Sequence, residues 1–179
     1  MTADDLSLLV EWFNQPHVYE WWGVDAASDG LGGPGEQAAT IAQVEAQYGD
    51  ELRTGVTKHF VVLLDRRPIG LIQWYRLASY PKYAAEIEEP DAAAIDLLVG
   101  EVELLGRGLG VEIIRRFTTG IVLPDSGLGR VIGAPDVRNR RSIRAFEKAG
   151  FRWVRDAAVS GEPGPEHVMV FDRSDQVGE

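Results

Sequence analysis

A chain of 179 residues, 45% apolar and 26% charged, is most simply one globular domain spanning 1–179 with enough length to bury a core. No apolar run approaches the ~20 residues that cross a bilayer, and no basic-then-apolar leader opens the chain, so a cytoplasmic protein without membrane contact is expected. The formal charge of −10 argues against a nucleic-acid partner and suits a small cationic one; zero cysteines and three scattered histidines exclude thiolate chemistry and predict no metal.

Asp4 or Asp5 caps a predicted helix through Leu6, Leu9, Val10 and Phe13, which ends near Asn14-Gln15-Pro16. An aromatic segment, Val18 to Gly23, and a glycine-rich loop, Ser28 to Gly35, follow. Glu36 to Leu52 reads as a helix with Ile41, Val44 and Tyr48 inward. Lys58 to Asp65 and Ile69 to Leu77 read as a hairpin around the turn Arg66-Arg67-Pro68. Ser79 to Ala93 reads as an irregular acidic loop. Ala94 to Glu103 is a strand that feeds the alternating glycines of Leu105-Gly106-Arg107-Gly108-Leu109-Gly110. Val111 to Val122 is a helix, Pro124-Asp125-Ser126-Gly127 a turn, and Gly129 to Ala134 a strand. Arg138 to Ala149 is a helix with Ile143, Phe146 and Ala149 on its apolar face, closed by Gly150. Phe151 to Val159 and His167 to Phe171 are strands, separated by Gly161-Glu162-Pro163-Gly164.

A strand running through alternating glycines into a helix presents several backbone N–H groups at the positive end of the helix dipole, which is a cradle for a pyrophosphate. Taken alone, the segment also reads as a tight turn. A nicotinamide-type site would place such a fingerprint after the first strand of a βαβ unit, and here it lies past the chain's midpoint. Acids gather at Glu86-Ile87-Glu88-Glu89-Pro90-Asp91, Asp96, Glu101 and Glu103, where they would draw a cation. Arg138, Arg140, Arg141 and Arg144 form a basic stretch with an anionic target beside the cradle.

The order strand, LGRGLG, helix, strand, N-x-x-S-x-x-x-F-x-x-x-GF, strand resembles the acetyl-coenzyme-A core of the GNAT N-acetyltransferase superfamily, over roughly Lys58 to Val170. With the early EWWG, Pro68-Ile69-Gly70 and Gln73, Ile95-Asp96 and EKAGF, nearly the whole chain is similar to aminoglycoside 6′-N-acetyltransferases. The resemblance implies an α/β (α+β) fold: a mixed, mostly antiparallel central sheet, splayed in the middle and flanked by helices on both faces. It implies transfer of an acetyl group from acetyl-CoA to the 6′-amine of an aminoglycoside, by direct attack of the amine on the thioester. Acylation of another small amine, such as a polyamine or lysine-like metabolite, and coenzyme binding without turnover are the alternatives.

Carried over position by position, the resemblance gives Asp96 the substrate amine and its proton. It gives Trp22, Gln73 and Glu162 further substrate contacts. The coenzyme falls to Leu98 and Val99 on the strand, to Leu105, Gly106, Arg107, Gly108, Leu109 and Gly110 in the cradle, and to Asn139, Arg144 and Phe146 on the following helix. Three positions depart from the pattern. Leu105 stands where Gln or Arg is usual, Phe146 where many relatives carry a proton-donating tyrosine, and Ala134 where related aminoglycoside enzymes carry an aspartate. The first element is a helix rather than a strand, which leaves a sheet edge that a second copy could complete in a homodimer.

Overall fold

The computed structural model describes residues 1–22 and 39–176; the glycine-rich loop expected at 28–35 lies outside the described residues. In chain order the elements are α1 (Leu6–Phe13), α2 (Pro16–Tyr19), α3 (Ile41–Thr54), β1 (Thr57–Leu64), β2 (Arg67–Arg76), α4 (Pro81–Ile87), β3 (Ala93–Val99), α5 (Leu109–Phe117), α6 (Leu123–Ser126), β4 (Arg130–Gly133), α7 (Arg140–Lys148), β5 (Arg152–Ala157) and β6 (Glu166–Asp172). The strands form one six-stranded sheet in the order β1-β2-β3-β4-β6-β5. By compactness the chain divides into Met1–Gln73 with Leu97–Leu105, and Trp74–Asp96 with Gly106–Glu179.

In the first unit, the helical spacing of Leu6, Leu9 and Phe13, with Trp12, buries one side of α1 against Val18, Val44, Tyr48, Leu71 and Leu98. Truncating Phe13 to alanine would cost about 3–5 kcal/mol, the usual penalty for an emptied aromatic core site. Two glycines are fixed by close approach. A Cβ at Gly70 would collide with the Leu98 carbonyl, and one at Gly100 with the Trp12 indole. A Thr40–Gln43 capping box starts α3, with the Thr40 amide 2.9 Å from Gln43 Oε1, and Gly55 ends it at φ +65. Val44 and Tyr48 face inward as expected, whereas Ile41 is 46% exposed. The helix begins at Ile41, and a first-turn side chain leans back beyond the helix end. The hairpin turns at Asp65-Arg66, both left-handed at φ +49 and +68, so Arg67 and Pro68 already belong to β2. A two-residue turn with both centres at positive φ matches strand twist better than the expected Arg66-Arg67-Pro68.

The second unit packs around Leu77, Ala84, Ile87, Ala92, Ala94, Ile132, Ala157, Val168 and Val170. The supposed irregular loop at 79–93 contains α4, which Pro81 opens, Ala84 and Ile87 anchor, and Glu88 closes in the left-handed region at φ +56. The strand expected to reach Glu103 stops at Val99, and a 3₁₀ turn spans Val102–Leu104. The helix expected at 111–122 starts earlier, at Leu109, and continues through a π-type turn, Thr118–Val122, into α6. β4 pairs antiparallel with β6, and β5 with β6 across a bulge between Trp153 and Arg155. β3 and β4 are parallel and pair at Ala93↔Val131 and Ala94↔Ile132 only, after which β4 ends at Gly133. The parallel pairing of these two strands is therefore confined to two residue pairs, upstream of Asp96.

Candidate active site

The glycines that open α5 generate the first half of the site. Gly106 and Gly108 are left-handed at φ +74 and +81. A Cβ at either would meet nothing within 4 Å, so backbone conformation rather than packing reserves both for glycine. Gly108 caps α5, its carbonyl accepting from the Val111 and Glu112 amides at 3.1 and 3.4 Å. The amides of Gly106 to Gly110 donate to no acceptor among the described residues, as geometry dictates for groups at or before a helix start. Arg107 is exposed between the two left-handed glycines, Leu105 is extended, and Leu109 and Gly110 form the first turn of α5. An open, glycine-lined row of N–H groups at a helix N-terminus fits the diphosphate of a nucleotide coenzyme.

Helix α7 adds to this half, with two changes from expectation. Asn139 is its N-cap: the side-chain Oδ1 accepts from the Ser142 amide at 3.1 Å. Arg140, Arg141 and Arg144 are exposed along the helix. Arg138, expected to seek an anion with them, is instead committed to Asp136, with Nε–Oδ1 2.9 Å and a second nitrogen 2.7 Å from Oδ2. Phe146 is buried, its ring over Gly133, where a Cβ would collide, and edge-on to Phe151 at 5.0 Å. Core packing accounts for that ring. On β3, Leu98 is buried in the first unit's core, and the Val99 carbonyl accepts from His17 Nε2 at 2.9 Å.

The second half is a carboxylate and tyrosine cluster in the second unit. Asp96 is half-buried on β3. Glu166, at the start of β6, accepts from the Tyr83 hydroxyl of α4 at 2.7 Å. Burial pushes the Glu166 carboxyl up to about 8; Glu162, Asp96 and Asp136 push the same way, and the Tyr83 bond opposes them. Burial likewise lifts the hydroxyls of Tyr75 and Tyr83 well above the usual phenol range, with Asp96 and Glu166 adding to it. Tyr80 meets Tyr75 edge-on at 4.9 Å between centroids. The Arg138 hydrogen bond holds Asp136 below the usual carboxylate range, and Asp136 bridges across to Glu166 on the backbone. Glu162 is exposed on the turn before β6.

Asp96 and Glu162 thus stand within electrostatic reach of Glu166, as two of the expected substrate residues should if they serve one pocket. Trp22 and Gln73 belong to the other unit. Trp22 packs on that unit's core, stacked with Phe13 at 6.4 Å, and its Nε1 donates to the Tyr48 hydroxyl at 3.1 Å, while Trp21 is the more exposed of the pair. Gln73 is half-buried on β2. Glu166, Tyr75, Tyr83 and Asp136 escaped the sequence reading. The one available signal was an acid at the head of the buried run Val168 to Phe171.

The acid-rich stretch that the sequence puts forward serves structure instead. Glu89 pairs with Arg130 at 2.9 Å and Arg155 at 3.1 Å, Glu86 takes the Ser160 amide and hydroxyl, and Glu101 and Glu103 share Arg67. Among the described residues, no group of three or more His, Cys, Asp or Glu is placed to hold a metal ion, and no helix is long and apolar enough to cross a membrane. A crowd of carboxylates with tyrosine hydroxyls suits an organic cation.

Known proteins sharpen this picture. Residues 2–159 match the acetyltransferase (GNAT) domain. Aminoglycoside N(6')-acetyltransferase type 1 of Klebsiella pneumoniae is 34% identical over 177 residues, 97% of this chain and 81% of that protein. The structure of AAC(6')-Ib in complex with ribostamycin and coenzyme A superposes with a TM-score of 0.82 at 31% identity, covering 99% of this chain and 93% of that one. AAC(6')-Ib with coenzyme A and kanamycin gives 0.80 at 30% identity, over 97% and 92%.

Proposed function

The chain belongs to the GNAT acetyltransferase family, and from that premise we propose that it acetylates the 6′-amine of aminoglycosides with acetyl-CoA. The observation that carries the reading is one strand, β3, which leads from an acid, Asp96, to an open glycine cradle within fifteen residues. Likeness over almost the full chain to enzymes of that name and to complexes with aminoglycosides supports it. A single catalytic domain in the cytoplasm is part of the same proposal.

Acetyl-CoA supplies the activated acetyl group as a thioester. The amides of Gly106 to Gly110 would hold its diphosphate, with Arg107, Arg140, Arg141 and Arg144 as counter-charges and the Asn139 cap beside its pantetheine arm. The chain's own chemistry centres on the amine. An ammonium has no lone pair, so a base must take its proton first; Asp96 Oδ, directly or through one water, fills that role. The tyrosines and carboxylates around Asp96 hold the polycation while that proton leaves. Phe146 offers no proton, so the departing thiol draws its own from water.

A thiol-release assay with acetyl-CoA and a panel of kanamycin, tobramycin, spermidine and lysine tests the proposal. Thiol release with the aminoglycosides, and an acetylated 6′-amine by mass and NMR analysis, is expected. Release only with spermidine or lysine assigns the enzyme to metabolic amines and overturns it.

A further inference from the structure

Resting on that reading, we propose that Glu166, steadied by the Tyr83 hydroxyl, is a specificity residue that selects acceptors carrying a second ammonium group. Asp96 serves the reacting amine; Glu166 serves another amine of the same molecule. The geometry is a carboxylate at the head of β6 whose recorded hydrogen-bond partner is a neutral hydroxyl, Tyr83 at 2.7 Å, and not a cation. Other buried or half-buried acids are paired with guanidinium groups: Glu89 with Arg130 and Arg155, Asp172 with Arg130 and Arg152, Asp136 with Arg138. A structural tie between α4 and β6 would be made as well by a glutamine, without placing a charge in a poorly hydrated position. An ionisable acid kept there with no cationic partner among the described residues calls for a cation from outside.

The groups that face Glu166 define what that cation meets. They are Tyr83 on α4, Tyr75 on β2, Asp96 on β3, Asp136 with its partner Arg138 after β4, and Glu162 on the turn before β6. On β5 the register partner is Ala157, and the neighbouring Asp156 is occupied by His167 Nδ1 at 2.6 Å. Because the Glu166 carboxyl is pushed up to about 8, it is mostly protonated in the unliganded protein at pH 7. Binding a second ammonium ionises it: the carboxyl O–H bond breaks, the proton goes to solvent, and a carboxylate–ammonium pair remains.

Calorimetric titration of the coenzyme-A-saturated protein with kanamycin at pH 7, repeated in phosphate and in Tris, counts the protons released. Glu166→Gln is expected to release about one proton fewer than the unaltered chain and to bind kanamycin about tenfold more weakly. With 6-amino-6-deoxyglucose, which carries only the reacting amine, the loss in kcat/KM caused by Glu166→Gln is expected to be several-fold smaller than the loss with kanamycin. Tyr83→Phe keeps the carboxyl, so it retains the released proton and loses about threefold in affinity. Equal proton counts and affinities for Glu166→Gln and the unaltered chain overturn the proposal, as does loss of the proton in Tyr83→Phe, which would assign both effects to a disrupted α4–β6 contact. If no aminoglycoside is acetylated but the proton difference persists, the proposed reaction fails and the role of Glu166 stands.

Discussion

The coenzyme end and the acceptor end of this protein are built by different means. The first is made of backbone: successive amides from Gly106 to Gly110, two left-handed glycines and a helix start. The second is made of side chains drawn from β2, α4, β3, the segment after β4, the turn before β6, and β6 itself. A backbone site is indifferent to side-chain identity, provided that nothing covers the amides, so Leu105, in extended conformation before the first glycine, leaves it intact. A side-chain site changes with every substitution.

The sharpest way to break this division is at Asp96, the residue on which the acceptor chemistry turns. Asp96→Asn keeps the shape of the side chain and removes the base. We expect kcat to fall about 10²–10⁴-fold, the usual worth of a positioned proton acceptor, with the dissociation constant for coenzyme A unchanged. Steady-state kinetics alongside coenzyme calorimetry would separate the two, and unchanged turnover would remove Asp96 from the mechanism. The converse change is Gly108→Ala. An L-residue at φ +81 is strained, and relief of that strain would turn the neighbouring amides out of the row. The KM for acetyl-CoA should rise about tenfold, with acceptor affinity left as it was; parallel losses at both ends would show that the two are not separable.

How far each end could be read from the sequence follows from the same difference. The cradle is contiguous and its glycines are required by backbone conformation, so its residues appear in a row. The acceptor cluster has no period. Tyr75 and Glu166 are ninety-one positions apart, and only the order of strands brings them together. Local density of charge misled in the opposite direction: Glu86 to Asp91 looked like a cation site and proved to be a set of ties to Arg130, Arg155 and Ser160. The same acids hid α4, whose signal was the pair Ala84 and Ile87 behind an N-terminal proline. Apart from α4, the order of the longer helices and of the strands was legible from apolar spacing, and the remaining errors fell at ends and turns, such as Asp65-Arg66, where one or two dihedral angles decide.

A smaller effect distinguishes the ends through stability. Glu166 keeps its proton up to about 8 in the folded chain and loses it near 4.5 when unfolded. Between those values the folded state binds more protons, so this group lowers stability as pH rises from about 4.5 to 8, and the full cost is present above 8. Glu166→Gln removes it. The melting temperature of the variant should exceed that of the unaltered chain by about 5 °C at pH 8.5, and the two should converge at pH 4.5. A constant offset at both pH values would mean that Glu166 is not the titrating group. The cradle carries no acid, and Gly108→Ala should show no such pH dependence.

The mildest test uses Arg138, a guanidinium tied into the acceptor cluster through Asp136. It holds Asp136 ionised and cancels its charge. Arg138→Ala leaves a bare carboxylate facing Glu166, so the field at the acceptor end becomes more negative and Glu166 binds its proton more tightly. A polycationic acceptor gains from the first change and loses from the second, because ionising Glu166 becomes costlier. Arg138 is exposed, so both effects are screened by solvent. At pH 8.5, where ionising Glu166 costs least, attraction wins, and KM for kanamycin should fall about twofold to threefold at low ionic strength. In 0.5 M salt the gain should vanish, since the Debye length shrinks to about 4 Å. A fall in KM for acetyl-CoA instead would place Arg138 at the coenzyme end.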